Sequence, residues 1–324
     1  MYPMLKEGVS VGTFNHEDSE TTRYYMENAD GDTFEISRRL CDALLDADGT
    51  KPLDLPDKGR SILPALKKRG IVRTSRFVRD EGIFNRFILF PISNKLQNGS
   101  LACKAINAAL PVVSVLIFAI GVYRMLSGGV RIGGDINWWI YYGFFAASLA
   151  LHEAGHLIAG LACGYKISDT GILLLGILPI GAYVAYEERE DAAKLEKTQF
   201  SLAGIEVNLL LAGVCLLAAM QYEPLSFTLL STAWVNVILA GLNLLPVSEL
   251  DGEAALSALC GVNSISETAK KWLFSKKRRK KLLHSGLPGY ARLCGFAFIF
   301  LSKILLWLFI GFEVVSAFFA VILP

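Results

Sequence analysis

Apolar runs at about residues 104–127, 138–163, 200–220 and 226–246, with a longer one at about 290–322, constrain this chain more than any other feature. A helix needs about 20 apolar residues to cross the hydrocarbon core of a bilayer, and a spanning segment must satisfy its own backbone polar groups. The expected fold class is therefore mainly α: a polytopic transmembrane helical bundle of about 5–6 spans over residues 98–324. The last run contains Lys303 and suits one tilted helix or two shorter segments. Composition agrees, with 53% hydrophobic and 19% charged residues and a mean hydropathy of +0.42. A net charge of +2 is too small to argue for a nucleic-acid partner. The 6 cysteines form no CxxC pair and read as small buried hydrophobes. The first residues lack the charged, apolar and small-residue order of a cleaved signal.

Residues 1–97 have no apolar run long enough to span and read as a separate domain. "TRYYMENADGDTFEIS" predicts a hairpin about Asp30-Gly31-Asp32. "SRRLCDALLDADG" predicts a helix started by Ser37 and stopped by Gly49. A second helix is expected over "DKGRSILPALKKRG", interrupted at Pro64, followed by one strand in "IVRTSRFV". Strands and short helices in this order make a small α+β, winged-helix-like unit.

Charge sets the expected orientation. The strongest basic cluster, "ETAKKWLFSKKRRKKLLH" at 267–284, belongs on the cytoplasmic side. Four spans precede it, so residues 1–97 start on that side too. The span at 138–163 then runs inward, and the one at 226–246 also ends near the cytoplasmic face.

Within that third of the chain "HEAGH" places His152 and His156 at i and i+4, on one helical face. This spacing suits two ligands of one Zn2+, with Glu153 beside them as general base. The plainer reading is two histidines hydrogen-bonded to neighbouring helices. A catalytic zinc needs a third protein ligand and leaves one position for water. His16 and His284 lie in polar segments, so a carboxylate at membrane depth is the better candidate. "GLNLLPVSELDGEAAL" offers Glu249, Asp251 and Glu253, after a break at Pro246, and spacing does not choose among them. A site outside the bilayer, with Glu187 or Glu188 as ligand, is disfavoured by the apolar residues around the histidines.

"HEAGH" in one apolar segment and "NLLPVSELDGE" at the end of another resemble the site-2 protease family of intramembrane zinc metalloproteases, which pairs HExxH with an LDG motif. The resemblance implies that Asp251 is the third ligand. "GILLLGILPIGAYVAYE" at 171–187 resembles the family's hairpin after the zinc helix, and "AGIEVNLLLAG" at 203–213 its Gly/Asn segment. Asn208, and Asn243 with it, would then sit near the active site, where an amide could hold the substrate carbonyl or its oxyanion. The chain departs from the family at Glu253, where a glycine is usual, and at Glu206. The Glu206 carboxylate within an apolar run reads better as a helix-packing hydrogen-bond group than as an active-site group.

The N-terminal domain resembles the peptide-recognition domains similar to the chaperone of pyrroloquinoline quinone biosynthesis, with "EISRRLCDALLDADGTKPL" in place of their helix and glycine turn. That resemblance implies capture of a peptide leader at a sheet edge. The expected function is hydrolysis of a peptide bond in or near the bilayer, in maturation or export of a ribosomally made peptide or on a membrane-anchored regulator. The expected partners are such a peptide, the lipid bilayer, and peptide-modifying or transport proteins. The alternative is a non-catalytic membrane protein on the same scaffold, an immunity or transport accessory. Retention of Glu153 argues against it, because structural zinc needs no base.

Overall fold

The computed structural model describes residues 2–15, 22–53, 55, 59–79, 84–93, 101–128, 133–187, 189, 191–245, 250–262 and 264–265. The sequence expectations for His16, Pro246, Glu249, the basic cluster at 267–284, His284 and the run at 290–322 lie outside these residues. The described chain falls into two compact units. One holds the chain up to residue 100 together with Gly164–Arg189, and the other holds Leu101–Cys163 and the chain from residue 190 onward.

The first unit begins with β1 (Met4–Leu5), β2 (Ser10–Asn15), β3 (Thr22–Glu27) and β4 (Thr33–Ile36). The expected hairpin joins β3 to β4 with Glu27 opposite Thr33. Asn28 Oδ1 closes its turn by accepting from the Asp30 and Asp32 amides at 3.1 and 2.8 Å. Gly31 takes the positive φ of 87° that the turn requires. α1 (Arg38–Leu45) starts as expected, with Ser37 Oγ accepting from the Leu40 amide at 3.3 Å. It stops at Leu45 and does not reach Gly49, because the following residues are captured by the N-terminus. The Leu5 amide donates to Ala47 O and the Gly49 amide to Pro3 O, each at 3.1 Å.

α2 (Gly59–Lys68) runs through Pro64, contrary to the expected interruption. Ile62, Leu63 and Leu66 of this helix pack on the core of Met26, Leu44, Ile71 and Val72, which outweighs one missing amide donor near the helix start. "IVRTSRFV" is not one strand but two. β5 (Val72–Arg73) pairs with β1, and β6 (Phe77–Arg79) changes partner to β7 (Phe84–Pro91).

The same unit takes in the stretch after the metal-motif helix. β8 (Lys166–Leu175) and β9 (Leu178–Glu187) form the hairpin expected at 171–187, five residues longer at its start. β8 pairs with β7, with Phe87 opposite Ile172, giving the sheet order β6-β7-β8-β9. The junction is sealed by a buried polar cluster. Asp169 has no exposed surface and accepts from Arg73 Nη2 at 2.8 Å, Tyr183 Oη at 2.7 Å and Ser168 Oγ at 3.0 Å. Burial first, and the Asp169 carboxylate next, push the Tyr183 hydroxyl well above the usual tyrosine range.

The second unit is helical: α3 (Leu101–Leu126), α4 (Trp138–Cys163), α5 (Lys194–Ala219), α6 (Ser226–Leu244, entered by a 3-10 turn at Glu223–Leu225) and the short α7 (Asp251–Cys260). Among the described residues four helices, of 26, 26, 26 and, counting the 3-10 turn, 22 residues, are long and apolar enough to cross a bilayer, which points to a membrane protein. α5 starts earlier than its apolar run, because Glu196 accepts from the Ala193 amide at 3.0 Å and anchors a polar first turn. Val112, Leu116, Trp139 and Tyr142 are exposed, as suits side chains facing lipid. Between helices the contacts turn polar: Asn236 Nδ2 of α6 donates to Ser148 Oγ of α4 at 2.9 Å. The described cysteines form no disulfide with one another.

Candidate metal centre

α4 brings both histidines of "HEAGH" to one buried face, with ring centroids 5.0 Å apart. Their Nε2 atoms stand 3.3 Å from each other. Asp251 is the first residue of α7, and its Oδ2 lies 3.1 Å from His152 Nε2 and 3.3 Å from His156 Nε2. Gly252 makes this approach possible: a Cβ there would overlap the Leu244 carbonyl at the end of α6. The two motifs, distant in sequence, thus converge on one point.

The backs of the rings show what that point can hold. His156 Nδ1 donates to the Phe200 carbonyl at 2.9 Å, leaving its Nε2 with a bare lone pair. Asn208, fully buried on α5, sets its amide 3.0 Å from His152 Nδ1. Asn208 Oδ1 has no hydrogen-bond partner among the described residues, and a half-turn of the amide would let it accept from His152 Nδ1–H. Both Nε2 atoms then present lone pairs to a carboxylate oxygen that itself lacks a hydrogen-bond donor. Three electron-rich atoms so close repel unless positive charge, a metal ion or a proton added to an imidazole, lies among them. Gly204 of α5 keeps the space open. A Cβ at that position would fall 2.5 Å from both Nε2 atoms. Two imidazoles, one carboxylate and the hydrogen bonds behind the rings make a donor set that fits Zn2+.

Residues 141–224 match peptidase family M50. This similarity to the family is confined to that segment. A zinc metalloprotease of Methanocaldococcus jannaschii is 29% identical over 131 residues, covering 39% of this chain and 35% of the relative. The chain thus spans about a third of the length of the curated relative it matches. The M50 segment includes His152, Glu153, His156, Gly204 and Asn208 but ends before Asp251, whose place in the triad rests on the geometry.

Glu188, like Glu249, lies outside the described residues, and the other described carboxylates named from the sequence lie elsewhere. Glu253 accepts from Ser264 Oγ at 2.7 Å, and Glu187 meets Lys166 Nζ at 3.1 Å in the first unit. Glu206 is buried, and its partner is on its own helix: Gln199 Nε2 donates to it at 3.0 and 3.2 Å. Glu153 is half-buried beside His152 and interacts electrostatically with all three members of the triad. Asn243, in the last turn of α6, is half-buried and makes no hydrogen bond to the triad among the described residues. Sequence reasoning missed the Phe200 carbonyl, which has no residue-type signal, and the space-making role of Gly204, which only the crossing of α4 and α5 creates.

Proposed function

We propose that this chain is a zinc metalloendopeptidase that hydrolyses a peptide bond within or beside the bilayer. The observation that carries this reading is the convergence of His152 Nε2, His156 Nε2 and Asp251 Oδ2, each within 3.3 Å of the other two. Zinc in such a set lowers the pKa of water toward neutrality and polarises a carbonyl. His152, His156 and Asp251 hold it, while the Phe200 carbonyl and the Asn208 amide fix the two rings. Glu153 takes the proton of the attacking water and returns it to the leaving amine. Asn243 is the remaining amide candidate for the substrate carbonyl. The M50 match and the relative's name as a zinc metalloprotease support the same chemistry.

The substrate in this reading is a membrane-associated precursor peptide, matured or exported after cleavage. The first unit is the winged-helix-like element that recognises it, by pairing with its extended backbone at a sheet edge. Both this unit and the basic 267–284 segment face the cytoplasm, as the lysine and arginine distribution requires. His152 and His156 then lie in the cytoplasmic half of α4.

The test is zinc content by mass spectrometry on purified protein, paired with cleavage of a membrane-anchored reporter peptide. The unaltered chain should carry about one zinc; Glu153→Gln should keep it and lose cleavage; Asp251→Ala should lose both. Zinc retained in Asp251→Ala would remove Asp251 from the ligand set. Cleavage retained in Glu153→Gln would remove the general base, and with it the mechanism.

A further inference from the structure

The first unit contains a cleft of about 400 Å³ that no part of the metal chemistry uses. Its walls come from the β1 region and from the ends of β8 and β9, with Leu5, Val9, Leu45 and Val184 supplying apolar surface. Two arginines line it, and both are unusually enclosed for their type: the side chains of Arg73 and Arg86 are only 9% and 14% exposed. Against them lies Glu7, whose side chain is 55% exposed. Arg86 grips that carboxylate with both ends of its fork, at 2.8 and 3.0 Å, and Arg73 Nη1 stands 4.0 Å away. Arg73 also keeps a buried Nε with no hydrogen-bond partner among the described residues.

This arrangement is asymmetric. Arg73 is neutralised from within by the fully buried Asp169, whereas Arg86 is met by the half-exposed carboxylate of Glu7. The bidentate pair holds the Arg86 guanidinium in place, and the half-exposed Glu7 carboxylate is the partner that a ligand carboxylate of the same geometry can replace. We propose that the cleft is a binding site for an acidic peptide, and that Glu7 occupies the carboxylate position until such a ligand displaces it. The buried guanidiniums recognise a planar carboxylate, and the aliphatic walls take the apolar side chain next to it. The cleft is of small-ligand size, larger than a bare anion needs. This inference deepens the peptide-recognition reading of the first unit and rests on that reading, but it does not depend on the metal.

The experiment uses the full chain in detergent and two fluorescein-labelled, end-blocked octapeptides, one alternating Leu with Glu and the other Leu with Gln. The Glu peptide should bind more tightly than the Gln peptide by at least tenfold, and less tightly as salt rises. Glu7→Gln removes the internal competitor and should tighten the Glu peptide about three- to fivefold. Arg86→Gln should weaken it at least tenfold, with zinc content unchanged. Equal binding of the two peptides would overturn the carboxylate site while leaving sheet-edge capture intact. Failure of either peptide to bind any variant would overturn both. An unchanged affinity in Glu7→Gln would show that Glu7 does not stand in the ligand's place. If inorganic phosphate or phosphatidylglycerol vesicles displace the Glu peptide at equal anion concentration, the site is one for phosphate groups and the peptide assignment fails.

Discussion

Asp169 and Asp251 are both enclosed carboxylates next to nitrogen atoms, yet their surroundings are opposite in kind. Asp169, in the first unit, is surrounded by donors: a guanidinium, a phenol and a serine hydroxyl. Every hydrogen bond it accepts comes with a proton, so the cluster is complete within the chain. Asp251, in the second unit, faces two imidazole nitrogens whose protons are engaged or available on the far sides of their rings. One cluster closes a joint, and the other requires a cation from outside. Burial alone therefore does not mark a functional carboxylate; the direction in which its neighbours' hydrogens point does.

The contrast can be broken from either side. The largest effect is expected from Gly204→Ala, which puts a methyl group on both Nε2 atoms: zinc should fall from about one per chain to background while helix content by circular dichroism is unchanged. Next comes Arg73→Met, which strands the Asp169 charge and should destabilise the first unit by about 3–5 kcal/mol. Pulsed thiol labelling of the buried Cys41, located by mass spectrometry, reads that loss. Arg73→Met combined with Asp169→Leu should recover most of it, an outcome impossible for the zinc triad, where no second substitution restores binding. Asn208→Ala, which frees the His152 ring without removing a ligand, should weaken zinc about 10- to 100-fold in a competition titration.

The smallest effect belongs to Tyr183→Phe, which removes one donor to Asp169 and should cost about 1–2 kcal/mol. Because the folded phenol titrates above the unfolded one, its contribution is complete below pH about 10 and is lost as the pH climbs from there toward the folded value. Tyr183→Phe should therefore flatten the alkaline end of the stability profile measured by the same labelling, and an unchanged profile would show that the hydroxyl is not held by Asp169.

The parts legible in the sequence are those with a strong local period or spacing. The apolar run at 138–163 ends where α4 ends, and the i, i+4 histidines meet as helix geometry requires. Ser37 capped α1, and the Asp30-Gly31-Asp32 turn formed. What misled was competition from distant chain. Residues 47–49 leave the helix because the N-terminal strand binds them, and "IVRTSRFV" splits because β1 and β7 each claim half. Spacing left Glu249, Asp251 and Glu253 equivalent; geometry favours Asp251 over Glu253, because the start of α7 aims one toward α4 and lets the other meet Ser264. The Arg73–Asp169–Tyr183 cluster had no signal at all, since Arg73 on β5 is distant in sequence from the β8–β9 hairpin that carries Asp169 and Tyr183 and meets it only in the folded unit.

That pairing also orders events at the ribosome. β7 emerges early, but its partner β8 is made only after the whole of α3 and α4, so during synthesis the N-terminal sheet stands as β6 and β7 alone, a two-stranded ribbon of marginal stability with an open edge. Closing so long a loop adds little entropy cost beyond that of a shorter one, but it imposes a wait. A chain arrested between α4 and β8 would already carry both histidines and would still lack β8 and β9, which bring Asp169 and Tyr183 to Arg73. The first unit is therefore finished only after the helix that carries both histidines has been made, which leaves a nascent chain unable to complete this fold ahead of its first two apolar helices.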